Sequence, residues 1–448
     1  MSSGEPADHV PSPAGISSPA SGSGDTSTLA VVEVRQRLEF LSTLGFALLE
    51  SGETCVQTQR TLGEYGTELG LEGLATNSFG RMLLLEASAA GGGTVSITGA
   101  ARALDVIDCT RSRELHRVAV EAVAEIGRQP VGVRAREHLA SARDAVQRLR
   151  ETATPWWVVT VGLTLLALFI SMQIGVSWQA WVSAALVQTV SSVAGRAAQV
   201  VRLPKLFAVA LQSCAAGAFA TLLVQLGFVD PVGAAAAIAV NWLLLLPLPQ
   251  VISAVTDAIE ADYLSSLTRL GSVAVASAGI FIGGAFTFTL GEVLGMAHPK
   301  LDALPSMPWY LVLVFSSLGA LANAFANGGR LPLVLPAVVL GLATGATNQI
   351  LLHAFTLPAL WASSFSAVGL GVLSTAIAAR TGYPSHVLAL MGITGALLPG
   401  IAVFFGILQE MGGGSGLASF GTAAVTCVGI GTGFALGAHL CRLARKDL

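Results

Sequence analysis

A chain of 448 residues that is 53% hydrophobic and only 11% charged, with a mean hydropathy of +0.69, is too apolar for an ordinary water-soluble protein and points to the membrane class. A formal net charge of −3 supplies no clustered basic surface, which sets a nucleic-acid partner aside. The five cysteines, Cys55, Cys109, Cys214, Cys427 and Cys441, have neither CxxC nor Cys/His spacing; they read as packing residues, with no metal, disulfide framework or cofactor expected.

Residues 1–28 are rich in Ser, Gly, Pro and Ala and read as a disordered tail. From Leu29 to Leu49, apolar residues at Val32, Leu38, Leu41, Leu44 and Leu48 have helical spacing and stop before Ser51-Gly52, predicting an amphipathic helix closed by glycine. A second helix is expected over Cys55 to Leu69. Met82 to Leu85 and Thr94 to Ile97, separated by Gly91-Gly92-Gly93, read as a hairpin. Polar helices follow near Ser112 to Ile126 and Val133 to Arg150. Residues 29–151 hold 14 of the 24 basic and 16 of the 27 acidic side chains, so this segment is expected to be a small soluble α+β domain.

Beyond it the uncharged stretches are long: 152–195, 206–229, 231–256, 270–291, 303–329, 331–379, 381–409 and 411–441. A bilayer core of ~30 Å takes about 20 helical residues, so six stretches hold one span each. The two longest hold two, breaking at Gln173-Ile174-Gly175 and between His353 and Pro358. Ten spans result, with Pro155 opening the first, where its missing N–H costs nothing. With the soluble domain inside, the inner loops and C-terminus carry Arg196, Arg202, Lys205, Arg269, Arg330, Arg380, Arg442, Arg445 and Lys446, and the outer loops only Lys300. The bias of basic residues toward the cytoplasm then places both termini there.

Landmarks recur across this region. Pro155-Trp156-Trp157 returns as Pro308-Trp309-Tyr310, Leu203-Pro204 as Leu357-Pro358, Asp230-Pro231 as Tyr383-Pro384 and Leu246-Pro247 as Leu398-Pro399, at offsets of 152 to 154 residues. The fold class read from this is mainly α: a polytopic membrane protein of ten helices in a five-plus-five repeat, 152–300 and 303–441, with a cytosolic tail over 442–448. Five is odd, so the second copy starts on the opposite face and the repeat is inverted, the architecture of many secondary transporters. No Walker A loop is present, and coupling to an ion gradient is the expectation.

The fourth and ninth spans are equivalent, and each carries proline inside an apolar run, at Pro247 and at Pro399-Gly400. Proline frees a backbone carbonyl, and in lipid such a group must be satisfied by the protein or by a cavity. A substrate site built on Pro247, Thr394, Pro399 and Gly400 is one reading and a structural kink the other. Asn241, like Gln212, lies inside an apolar run as interhelical glue or as a ligand contact. Asp257 and Glu410 follow the two breaks at matching distances; each is either a proton-coupling carboxylate at the membrane edge or part of a solvated loop. Arg380 either meets a carboxylate or sets topology. His353 and His386 fall at loop edges and read as solvated, with a proton relay the alternative. Glu50-Ser51-Gly52 with Thr54 gathers groups an enzyme could use, but no His/Asp partner set stands at recognisable spacing, so no catalytic residues are assigned.

Three stretches resemble the threonine/serine exporter family of bacterial inner-membrane proteins: Leu48-Leu49-Glu50-Ser51-Gly52 with Thr54, Thr61-Leu62 and Leu69-Gly70-Leu71; Pro247 through Asp257 to Leu267; and Gly392-Ile393-Thr394, Leu397-Leu398-Pro399-Gly400 and Phe405-Gly406. The chain departs from the family pattern at Phe404-Phe405 and at Pro247-Leu248-Pro249. The resemblance spans about 30–440. It implies a multi-pass inner-membrane exporter of L-threonine and L-serine, driven by the proton motive force. Its partners are then a small amino-acid substrate, protons and the lipid bilayer, with a homo-oligomer open. Export of another small polar metabolite, or an enzyme carried by residues 29–151, are the alternatives.

Overall fold

The computed structural model describes residues 23–89, 92–104, 106–128, 132–175, 177–295, 307–411 and 414–446. Most of the tail expectation, and Lys300 with the loop that carries it, lie outside the described residues.

The N-terminal part is a layered α+β unit. Its first helix, α1 (Ser23–Glu50), starts six residues before the expected Leu29 and presents Leu38, Leu41, Leu44 and Leu48 to the interior, all fully buried. Against this stripe pack α2 (Cys55–Glu68), α3 (Cys109–Arg128), α4 (Val133–Glu151) and an antiparallel sheet in the order β1 (Ala75–Phe79), β2 (Met82–Ala89), β3 (Gly93–Ala100). Strand β2 alternates, with Leu83, Leu85 and Ala87 inward and Met82, Glu86 and Ser88 outward, as a half-buried strand must. The expected hairpin is present, with Leu85 opposite Ile97. Strand β1 has no counterpart in the sequence reading: Ala75-Thr76-Asn77-Ser78-Phe79 is too polar to announce a strand, and pairing with β2 makes it one.

Among the described residues of the C-terminal part every element is helical. Its first half runs α5 (Trp156–Ile174), α6 (Trp178–Val200), α7 (Lys205–Gln225), α8 (Pro231–Leu245), α9 (Leu248–Ile259) and α10 (Tyr263–Val293). Its second runs α11 (Trp309–Ala326), α12 (Leu331–His353), α13 (Ala359–Thr381), α14 (Ser385–Gly392) with a π-helical turn at Ile393–Leu397, α15 (Gly400–Met411) and α16 (Leu417–Lys446). Among the described residues, seven helices are long and apolar enough to cross a membrane: α5, α7, α10, α11, α12, α13 and α16. Two bent pairs, α8–α9 at 46° and α14–α15 at 54°, raise the number to nine if each pair is one span. The sequence reading counts ten. The difference is α6, which has 23 residues but carries Gln179, Gln188, Gln199 and Arg196.

Small residues let these helices approach closely. A methyl at Gly162 of α5 would sit 2.4 Å from the backbone N of Ala326 in α11, and one at Gly437 of α16 would sit 2.0 Å from the carbonyl of Val368 in α13. Helices α7 and α10 meet in the same way, at Gly217 and Gly283.

Candidate functional site: the broken helices and the charged junction

Proline dictates both breaks. Pro399 lacks the N–H that an α-helix would direct to the carbonyl of Gly395. That carbonyl instead accepts a hydrogen bond from Gln173 Nε2 of α5 at 2.9 Å, and the chain just before the break widens into the π-turn that holds Thr394. At the other break, Gln250 and Val251 turn their N–H groups back to the carbonyl of Pro247, at 2.9 and 3.2 Å, and α9 begins in a new direction. Gly400 opens α15 beside α8: a methyl there would stand 3.5 Å from Leu243 Cδ2. The two broken helices therefore meet at their breaks. Asn241, fully buried in α8, donates to Gln188 Oε1 of α6 at 2.9 Å, while its own Oδ1 has no partner among the described residues. A cavity of about 350 Å³ runs beside the breaks, lined by Trp242, Leu246, Ile280, Pro399, Val403 and Phe420 among others. Ser277 is its one hydroxyl, and Asn241, Thr394 and Gly400 are not in its wall. Such a surface suits hydrocarbon, not a zwitterion.

The site candidates Asp257, Glu410 and Arg380 are not brought together. Asp257 in α9 is fully buried, 0% exposed, and pairs with Arg269 of α10 at 3.0 Å. Glu410 is exposed at the end of α15 and accepts from the backbone N–H of Gly416 at 2.7 Å. The two residues after the breaks are thus unlike in environment. Arg380 stands exposed in the last turn of α13, where a cation complements the helix dipole.

Asp257 belongs to a junction between the N-terminal α+β unit and the apolar helices. Arg269, 1% exposed, donates from Nε to Asp257, from Nη1 to Gln250 Oε1 at 2.8 Å and from Nη2 to the carbonyl of Glu53 at 3.0 Å. Glu53 is fully buried in the turn between α1 and α2; its Oε1 accepts from Ser112 Oγ at 2.8 Å and contacts His116 Nε2 at 2.7 Å. Burial alone would raise the Glu53 pKa, but the charge of His116 and its hydrogen bond hold it below the ordinary carboxylate value. Burial would likewise depress His116, and Glu53 raises it above the ordinary imidazole value instead. His386, expected at a solvated loop edge, is half-buried in the first turn of α14, beside the backbone of Gly52 and facing Glu53. The tertiary contact overrides its terminal position.

The same seam is tied at other points. Gln250 Nε2 donates to the carbonyl of Leu104, Cys109 N–H to the carbonyl of Asn327, and Thr110 Oγ1 to the carbonyl of Gly328. Glu50, Ser51 and Thr54 serve local structure: Glu50 accepts from Nε and Nη2 of Arg150 at 2.7 and 2.6 Å, Ser51 Oγ donates to Leu48 O, and Thr54 caps α2. Sequence reasoning missed Arg269, Glu53, His116 and Gln173. The one usable signal was an arginine at the lip of an uncharged run, 12 residues after Asp257.

Comparison with known proteins converges on one family. The model of the family described as "Putative threonine/serine exporter" matches residues 39–291, which run from α1 through the α+β unit into α10. A protein of Mycobacterium tuberculosis named "Probable threonine/serine exporter" is 28% identical over 316 residues, covering 67% of this chain and 58% of that protein; the chain thus spans little more than half the length of that relative. No solved structure matches.

Proposed function

Because this chain belongs to the threonine/serine exporter family, we propose that it exports L-threonine and L-serine from the cytoplasm as a secondary transporter driven by the proton motive force. The observation that carries the reading is the meeting of two proline-broken helices at Gly400 and Leu243, 152 residues apart in their Leu-Pro breaks. Broken helices at equivalent positions are the usual seat of substrate and coupling ions in transporters built from inverted repeats. In this reading α6 is the tenth span, its polar face turned inward: Ser183, Gln188 and Ser191 are all buried. Helices α5–α10 then form one five-helix repeat and α11–α16 its inverted copy. The close pairs α7–α10 and α13–α16, third with fifth in each half, agree with that division. Both termini face the cytoplasm, as the basic residues favour.

Substrate would reach the backbone exposed at Pro247, Pro399 and Gly400, with Asn241 and Thr394 supplying polar contacts as the helices part. Arg380, exposed on α13, would meet a carboxylate only outside this core. For proton coupling Asp257 is the stronger member of the carboxylate pair, because protonating it releases Arg269, and Arg269 links α9 to the soluble unit. Glu410, capping its own turn, has no such linkage and would act only as an exposed acceptor. The test is efflux of preloaded labelled threonine from cells expressing the chain, with and without a protonophore, beside Asp257→Asn. Protonophore-sensitive efflux that disappears in the variant is the expected result. A correctly inserted chain that exports neither threonine nor serine sinks the proposal.

A further inference from the structure

A second cavity, of about 30 Å³, lies where α2 of the soluble unit meets α9, α14 and α16. Its chemistry is the reverse of the apolar cavity beside the breaks. Glu260 stands between two guanidinium groups, Arg60 Nη2 at 2.6 Å from its Oε2 and Arg442 Nη2 at 3.8 Å from its Oε1. Thr54, Gln57 and His386 complete the polar wall, and His386 Nε2 has no partner among the described residues. Helix α9 belongs to the first membrane half, α14 and α16 to the second, so the Glu260–Arg442 contact crosses the seam between them. The space holds one or two waters and no amino acid. A ligand enters only when α9 parts from α14 and α16, and that parting separates Glu260 from Arg442.

Opening such a seam leaves a carboxylate and a guanidinium without each other unless an incoming molecule supplies both charges. We propose that this seam is a cytoplasmic-side binding site for an α-amino-acid zwitterion, whose carboxylate takes the place of Glu260 on Arg442 and whose ammonium takes the place of Arg442 on Glu260, beside Arg60. A zwitterion replaces both halves of the lost Glu260–Arg442 contact; a molecule without a carboxylate leaves Arg442 unpaired, and one without an ammonium leaves Glu260 with Arg60 alone, which gives selectivity for the intact backbone of an amino acid. A side-chain hydroxyl would have Gln57 and the free Nε2 of His386 as partners, groups that a purely alkyl side chain would leave unsatisfied. The site rests on the exporter reading above and adds to it the place where substrate is first recognised. The polar cavity supplies what the apolar one lacks.

The experiment is uptake of labelled L-threonine into inside-out vesicles carrying the full chain, with threoninamide (no carboxylate) and N-acetylthreonine (no ammonium) as competitors. Glu260→Gln and Arg442→Gln are compared with wild type. Both substituted groups are partly solvent-exposed, at 20% and 40%, so the variants fold. Each is expected to raise KM about tenfold with a much smaller change in Vmax, the worth of one charge-assisted contact. Arg442→Gln should narrow the preference for threonine over threoninamide, and Glu260→Gln the preference over N-acetylthreonine. An unchanged KM in both variants overturns the site; so does a raised KM with analogue preferences intact, since a merely structural role produces that pattern. Wild-type vesicles that take up neither threonine nor serine defeat the exporter reading itself, a result distinct from either of these.

Discussion

Two ion pairs show how single residues hold the soluble unit. Glu50 and Arg150, with side chains 8% and 13% exposed, form a two-pronged pair that also takes the backbone N–H of Arg102. Removing one partner strands the other, so Glu50→Ala is expected to destabilise the soluble unit by about 3 kcal/mol, measured as a lowered unfolding transition of the purified protein. The Glu53–His116 pair adds a pH dependence. The His116 pKa is raised above its ordinary 6.5, so its contribution is complete below that pH and is lost as pH climbs through the raised value. The Glu53 pKa is lowered from 4.5, so its contribution is complete above that pH and is lost only as pH falls through the lowered value. Thermal stability should therefore decline on the alkaline side of pH 6.5, and His116→Gln should flatten that limb. A melting temperature equally steep above pH 6.5 in wild type and variant would remove the pair from the account.

At the level of elements, the two glycines around the Pro399 break have different tasks. A methyl at Gly395 would lie 2.4 Å from the carbonyl of Ser316 in α11, a clash with backbone that nothing flexible relieves, whereas one at Gly400 makes ordinary contact with Leu243 at 3.5 Å. Gly395→Ala is thus expected to abolish export or cut the yield of folded protein several-fold, while Gly400→Ala retains most of both, read by transport assay and by size-exclusion profile. Equal behaviour of the two would mean that the packing of the π-turn on α11 is not what fixes the break. The helices themselves were mostly visible in advance. Apolar stretches separated by Gly175, by His353 to Pro358 and by the Leu-Pro breaks mark where α5, α12, α8 and the π-turn end, because glycine and proline act locally. Strand β1 and the π-turn were not visible, since one depends on β2 for its bonds and the other on the side chain of Gln173.

For the whole molecule, the seam between the soluble unit and the membrane helices is the controlling feature. Arg269 reaches Glu53, Gln250 of α9 donates to the carbonyl of Leu104, Thr110 of α3 donates to the carbonyl of Gly328 just past α11, and His386 faces the turn that holds Glu53. A chain beginning at residue 152 would leave the Arg269 cation with fewer partners inside the protein. Such a chain is expected to be less stable in detergent than the full protein, and the double change Arg269→Met with Asp257→Asn should recover part of the loss, because it removes a buried ion pair that has lost part of its hydrogen bonding. A shortened chain as stable as the full one would show that the soluble unit is merely appended. For the same reason, loss of export on deleting residues 1–151 would not by itself assign chemistry to that domain.

By itself the sequence determined the membrane class, an α+β unit ahead of the apolar helices and the two proline breaks, because hydropathy, charge distribution and proline stereochemistry are properties of short stretches. It also carried the family resemblance, in motifs that lie on α1, α9 and the Pro399 break. Only the tertiary structure decided that Asp257 is buried against Arg269 while Glu410 caps an exposed turn, that the cavity beside the breaks is apolar, and that Glu260, Arg60 and Arg442 converge across the seam. These facts depend on residues as far apart as Glu53 and Arg269, or Arg60 and Arg442, and no local pattern encodes a contact between side chains that meet only when two halves of a chain fold against a third part.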